Sequence, residues 1–114
     1  MIDSYAFGQM SVDGRHYRFD LIILPDRTVL HPWRRRAGHR LERQDLDAVI
    51  GSELKLLVAG TGMYGRMRLE ASLRGELSRL GTELLAAPTA EATRIYNVFA
   101  VKQPGVAGCF HLSC

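Results

Sequence analysis

Apolar and polar residues alternate at the start of the chain. Tyr5, Phe7 and Gln9 alternate with Ala6, Gly8 and Met10, and Tyr17 and Phe19 alternate with His16 and Arg18 beyond Val12-Asp13-Gly14-Arg15. An Asp-Gly pair between two alternating runs predicts a β-hairpin. Leu21-Ile22-Ile23-Leu24 is then continuously apolar and closed by Pro25-Asp26, the pattern of a central strand covered on both faces. From Thr28 to Arg40 neither period is sustained. A short helix is expected over Glu42 to Ile50, with Leu46, Val49 and Ile50 on one side and Gly51 as its stop. Lys55 to Ala59 reads as a second buried strand that runs into Gly60-Thr61-Gly62.

The second half alternates between the two periods. Leu69, Leu73, Leu77 and Leu80 recur at helical spacing before Gly81, with Gly75 weakening the middle by about 1 kcal/mol relative to Ala. Glu83 to Ala87 reads as a strand ended by Pro88. Thr89 is the expected N-cap of a helix with Ala92, Ile95 and Phe99 facing inward and Tyr96 and Asn97 at its exposed edge. After the turn Gln103-Pro104-Gly105, Val106 to Leu112 makes a last strand. Strand, helix, strand, helix, strand predicts one three-layer α/β domain over residues 1–114, with a partly parallel sheet, an N-terminal hairpin and about three helices.

Composition changes this picture little. The chain has 114 residues, 46% hydrophobic and 24% charged, enough for one core. Its longest apolar runs fall well short of the ~18–20 residues needed to cross a bilayer, so no membrane insertion is expected. The start MIDSYAFGQM lacks a basic segment followed by an apolar one, which argues against a signal peptide. Cys109 and Cys114 both lie in the last six residues. They read as buried, inert thiols in a reducing cytoplasm rather than as a disulfide framework. A zinc site using Cys109, His111 and Cys114 would need His39 or another distant residue, and no metal or cofactor is expected. The net charge of +3 is too small to argue for nucleic acid.

Two segments carry candidate chemistry. Trp33-Arg34-Arg35-Arg36-Ala37-Gly38-His39-Arg40 combines an aromatic, four arginines and a histidine. Trp and Arg are favoured interface anchors; the plainer reading is a solvated charge run beside a core tryptophan. His39 has no serine, cysteine or acid beside it in sequence to suggest a triad, and His111 lies in an apolar strand as a core histidine. Gly60-Thr61-Gly62-Met63-Tyr64-Gly65 has the letters of a dinucleotide loop. The remaining chain is too short for two mononucleotide-binding halves, and Pro88-Thr89 stands where a ribose-binding acid belongs. A tight turn, or an anion site built from exposed backbone N–H groups, remains.

The order of Phe7-Gly8, Ile22 to Asp26, Trp33 to His39 with Asp45-Leu46, Gly60-Thr61-Gly62 through Gly65-Arg66-Met67, Pro88-Thr89 with Glu91-Ala92 and Tyr96-Asn97, and His111 to Cys114 resembles a small α/β family. That family includes a mitochondrial complex I assembly factor and an adipogenesis-associated domain protein. The resemblance spans essentially the whole chain. It implies a mixed central sheet, no established catalysis, and action through binding other proteins. A single Trp, preceded by His31-Pro32, departs from a pattern that often has two. The absence of a presequence favours a bacterial or archaeal cytoplasmic member.

These readings converge on a non-catalytic protein-binding or assembly-factor-like protein. The candidate binding set is Trp33, Arg34, Arg35, Gly38, His39, Gly60, Thr61, Gly62, Tyr64, Gly65 and Thr89. Trp33 is expected to offer apolar contact, and Arg34 to Arg36 to steer an acidic partner. The alternative is a small anionic ligand, or an unrecognised enzyme with His39 as acid–base group, in a pocket formed by the same segments.

Overall fold

The computed structural model describes residues 1–51 and 53–114. Strands β1 (Ile2–Ala6), β2 (Gln9–Val12) and β3 (Arg15–Tyr17) form an antiparallel three-stranded sheet. The expected Asp13-Gly14 turn joins β2 to β3. The central sheet contains β4 (Leu21–Ile23), β5 (Val29–Leu30), β7 (Leu56–Thr61), β9 (Glu83–Ala87) and β10 (Val106–His111), in the order β5-β4-β10-β7-β9. β10, β7 and β9 run parallel, whereas β4 runs antiparallel to both its neighbours, β10 and β5, so the sheet is mixed. A small parallel pair, β6 (Arg40–Leu41) with β8 (Arg68–Leu69), completes the strands.

Period-two alternation in the central strands builds three layers. Ile22, Leu57, Ala59, Ala107 and Cys109 face one side, where they pack with Trp33, Leu41, Leu46, Met67, Leu73 and Leu77. Leu21, Ile23, Leu56, Val58, Val106 and Phe110 face the other, against Met10, Ala92, Tyr96 and Ala100. Helix α1 (Leu73–Arg79) therefore covers one face, and α2 (Thr89–Lys102) with the three-stranded sheet covers the other. Such two-sided burial is why the central strands read as unbroken apolar runs.

Four local expectations are corrected. The helix expected over Glu42 to Ile50 contracts to a 3₁₀ turn, Arg43–Leu46. Trp33 Nε1 donates to the Asp45 carbonyl at 2.9 Å, the acceptor an α-helix would offer to Val49; Val49 N–H instead reaches Leu46 O. Helix α1 starts only at Leu73, because Leu69 is held in β8 opposite Leu41, and Leu80 is exposed. Thr89 does not cap α2: Pro88 occupies the N-cap position and Thr89 is the first helical residue. Tyr96 is fully buried, edge-on to Phe110, because α2 is sandwiched between two sheets. The neighbouring Asn97 side chain bonds both Ile2 N–H and Ile2 C=O, tying α2 to β1.

Candidate functional site

β10 brings the two candidate segments together. Beyond its last residue the chain passes the glycine loop, where Met63 N–H donates to Ser113 O and Arg66 N–H to Cys114 O. On the other side it meets the arginine segment. Cys114 Sγ lies 3.6 Å from His39 Nε2, and Arg35 contacts His111. His39 itself is pinned before β6, its carbonyl accepting Arg68 N–H.

A buried polar cluster sits at this junction. Asp20, just before β4, accepts Leu112 N–H and lies 2.8 Å from His111 Nδ1. The Arg35 side chain, 4% exposed, places Nη1 2.9 Å from the Asp20 carboxylate in ionic contact, and stacks over the Trp33 ring. Burial pushes the Asp20 carboxyl up. The His111 hydrogen bond, the Leu112 N–H and the Arg35 charge outweigh it and hold the group below its ordinary value. Arg35 Nη2 is also 3.1 Å from His111 Nδ1. A guanidinium can only donate, and an ionised Asp20 can only accept. His111 Nδ1 is therefore the donor to Asp20, while Arg35 donates to Gly38 O at 2.6 Å. His111 Nε2 is left buried and without a partner among the described residues.

The arginine run separates by role. Arg36 pairs with Glu42 and donates its N–H to Asp45, and Arg40 also pairs with Glu42. Trp33 is 8% exposed and anchored in the core. It is the bed for Arg35 rather than an exposed contact, which corrects the expected role. Arg34 is exposed and, among the described residues, has neither an ion-pair nor a hydrogen-bond partner.

The glycine loop does not present an anion cradle. Gly62 N–H goes to Thr89 Oγ1, Met63 N–H to Ser113 O and Gly65 N–H to Gly62 O. The glycines serve close approach: a Cβ on Gly60 would lie 2.9 Å from Thr89 Oγ1, and one on Gly62 2.5 Å from the Cys114 carbonyl. Thr89 Oγ1 also donates to His111 O, so this buried hydroxyl staples the loop, α2 and β10 together. Thr61 is likewise buried, in the ladder with His111. Tyr64 and Gly65 face solvent.

A cleft of about 380 Å³ opens at the carboxyl end of β10, lined by Gly8, Arg18, Phe19, Asp20, Pro32, Trp33, Arg34, Arg35, Leu112 and Ser113. Exposed Phe19 borders it, and beside it Phe7 faces exposed Tyr64 at 6.4 Å between ring centroids. Arg18, like Arg34, has no ion-pair or hydrogen-bond partner among the described residues. A larger hollow, about 660 Å³, lies at the opposite strand ends near Leu24, Lys55 and Pro104. Open α/β sheets bind ligands outside the carboxyl ends of their strands, which favours the first. Sequence reasoning missed Phe7, Arg18, Phe19 and Asp20. The available signal was a lone carboxylate standing directly before the apolar run of β4.

The architecture defines a single mixed α/β domain of the Mth938-like type. A family model described as "Protein of unknown function (DUF498/DUF598)" matches residues 2–111, and the chain belongs to that family. It superposes with a TM-score of 0.83 on the conserved hypothetical protein PH1505 from Pyrococcus horikoshii OT3, at 22% identity over 100% of this chain and 99% of that one. The protein MT938 superposes equally well, at 24% identity over 100% and 98% of the two chains. A Bordetella pertussis protein described as a Mth938-like domain matches with a TM-score of 0.64 and 15% identity over 98% and 85%. No described helix is long and apolar enough to cross a membrane.

Proposed function

We propose that this protein is a non-catalytic binding protein that docks an acidic, aromatic- or aliphatic-bearing segment of a protein client in the Arg18–Arg34 cleft. The observation that carries the reading is the pairing of two exposed, unpartnered arginines with exposed Phe19 around one recess. Arginine and aromatic side chains are the residue types that dominate interface energetics, and unpaired guanidiniums steer acidic partners. The neighbouring Phe7–Tyr64 pair extends the apolar area. Arg35, Arg36 and Arg40 are already paired internally, which supports a protein partner over nucleic acid. A non-catalytic role is supported by a split in the polar cluster. The acid-backed histidine is His111, whereas the thiol of Cys114 contacts His39. No single acid–base–nucleophile relay is formed among the described residues.

The finer reading follows the resemblance: an assembly factor, cytoplasmic in a bacterial or archaeal cell, whose client is a respiratory-complex subunit. Its test is co-purification from cells with quantitative mass spectrometry, followed by direct binding to the enriched subunit. An Arg18→Glu, Arg34→Glu variant serves as the control. Enrichment of an acidic client, with affinity lost at least tenfold in the folded variant, supports the proposal. A volume of about 380 Å³ is also within the range of small-ligand sites. Saturable thermal stabilisation by an anionic metabolite, with no client enriched, replaces the docking reading with that one.

A further inference from the structure

We infer that His39, His111 and Cys114 form a site for one thiophilic divalent metal ion, zinc(II) by its donor set, at the carboxyl end of β10. The inference is independent of the docking cleft. One potential ligand atom from each residue lies within 4.8 Å of the other two. Cys114 Sγ and His39 Nε2 are 3.6 Å apart, and the two imidazole rings are edge-to-face with centroids at 5.8 Å. Tetrahedral zinc with Zn–N near 2.0–2.1 Å and Zn–S near 2.3 Å holds its donors roughly 3.3–3.7 Å apart. The thiol and His39 already stand at ligand spacing, and the widest pair needs to close by about 1 Å.

The second observation is the state of His111. Its Nδ1 is taken by Asp20, which leaves Nε2 as the nitrogen open to a ligand; Nε2 is buried and has no partner among the described residues. A buried polar nitrogen without a hydrogen-bond partner is costly and rare. A carboxylate on Nδ1 with Nε2 left free is the arrangement by which proteins orient histidine toward a metal. A Cys114–His39 hydrogen bond alone would leave Nε2 unexplained; a metal ion uses all three atoms.

The placement of the donors suits the closure. His111 is fixed in β10, whereas His39 is exposed and Cys114 half-exposed. Two nitrogens and a sulfur select zinc-like ions over magnesium or calcium, which prefer oxygen. With three protein donors and His39 open to solvent, water fills the fourth position. Binding replaces the Cys114 thiol proton, released to solvent, by the metal; both histidines enter as neutral lone-pair donors. Cys109 takes no part. It is wholly buried, and burial pushes its thiol up to about 12.

The test is titration of chelator-treated, reduced protein with cobalt(II), an optical probe for zinc sites. One equivalent per chain should bind saturably, with tetrahedral visible bands and a near-ultraviolet thiolate-to-cobalt transition, and zinc should displace it. Cys114→Ser should abolish the thiolate band and weaken binding by about 100-fold. His39→Ala should weaken it by about 10- to 100-fold. Both side chains are at least partly exposed, so the variants keep the fold, checked by circular dichroism. Cys109→Ala should bind as the native chain does. Absence of saturable cobalt binding, or a thiolate band that survives Cys114→Ser or disappears with Cys109→Ala, overturns the proposal.

Discussion

Tyr96 carries its hydroxyl into the core, where no acceptor among the described residues meets it. Burial accordingly raises its pKa. Tyr96→Phe keeps the ring against Phe110 and removes an unsatisfied polar group, so it should stabilise the protein by about 1 kcal/mol in urea denaturation. A loss of stability would mean that the hydroxyl is bonded. Asp20 is the opposite case. Asp20→Ala removes three interactions and strands the buried Arg35 guanidinium, and should cost about 3–5 kcal/mol by the same measurement. The two thiols should separate cleanly. At pH 8 a thiol reagent should label Cys114 in the native protein and reach Cys109 only on unfolding, as mass spectrometry can score. The sequence picture of two equivalent buried thiols thus holds only for Cys109. Residue type disclosed that Trp33, His39 and His111 were worth following. The pairing of His111 depended on Asp20, which lies 91 positions away in sequence, and the burial of Trp33 on its bond to Asp45 O.

At the scale of elements, two glycines make opposite predictions. Gly62 has φ near +103°, and an added Cβ would meet the Cys114 backbone. Gly62→Ala should cost about 1–3 kcal/mol from backbone strain alone and displace the chain after β10. Gly75 sits inside α1 with no side-chain clash closer than 3.9 Å. Gly75→Ala should stabilise by about 0.5–1 kcal/mol. Thermal unfolding of the pair decides both; stabilisation by the first would contradict so close an approach. Strands were legible wherever a run was apolar on both faces, as in β4, β7 and β10. The 3₁₀ turn at Arg43–Leu46 was not, because a distant indole takes the carbonyl its helix needed. β5 and β6 have two residues each, too short to show any period.

For the molecule as a whole, the three layers and mixed sheet follow from alternation that puts both faces of β10 and β7 inside. The cleft was less legible because it is assembled from the end of β3, the segment after β5 and the end of β10. Its arginines should be separable from folding: Arg18→Glu, Arg34→Glu should alter stability by no more than about 0.5 kcal/mol while abolishing client binding. A variant that unfolds would show that these arginines hold the structure and not a partner.

The position of β10 has a consequence for how the protein is made. The last strand in the sequence is the middle strand of the sheet, with β4 on one side and β7 on the other. A nascent chain that has released residues up to 105 from the ribosome carries two half-sheets with no ladder between them. Each presents an unpaired apolar edge, Leu21 to Ile23 on one and Leu56 to Ala59 on the other. Such edges invite pairing with other chains. Ribosome-bound intermediates stalled before β10 should therefore be protease-sensitive and chaperone-bound, and the transition to a resistant core should come abruptly once residue 111 is free.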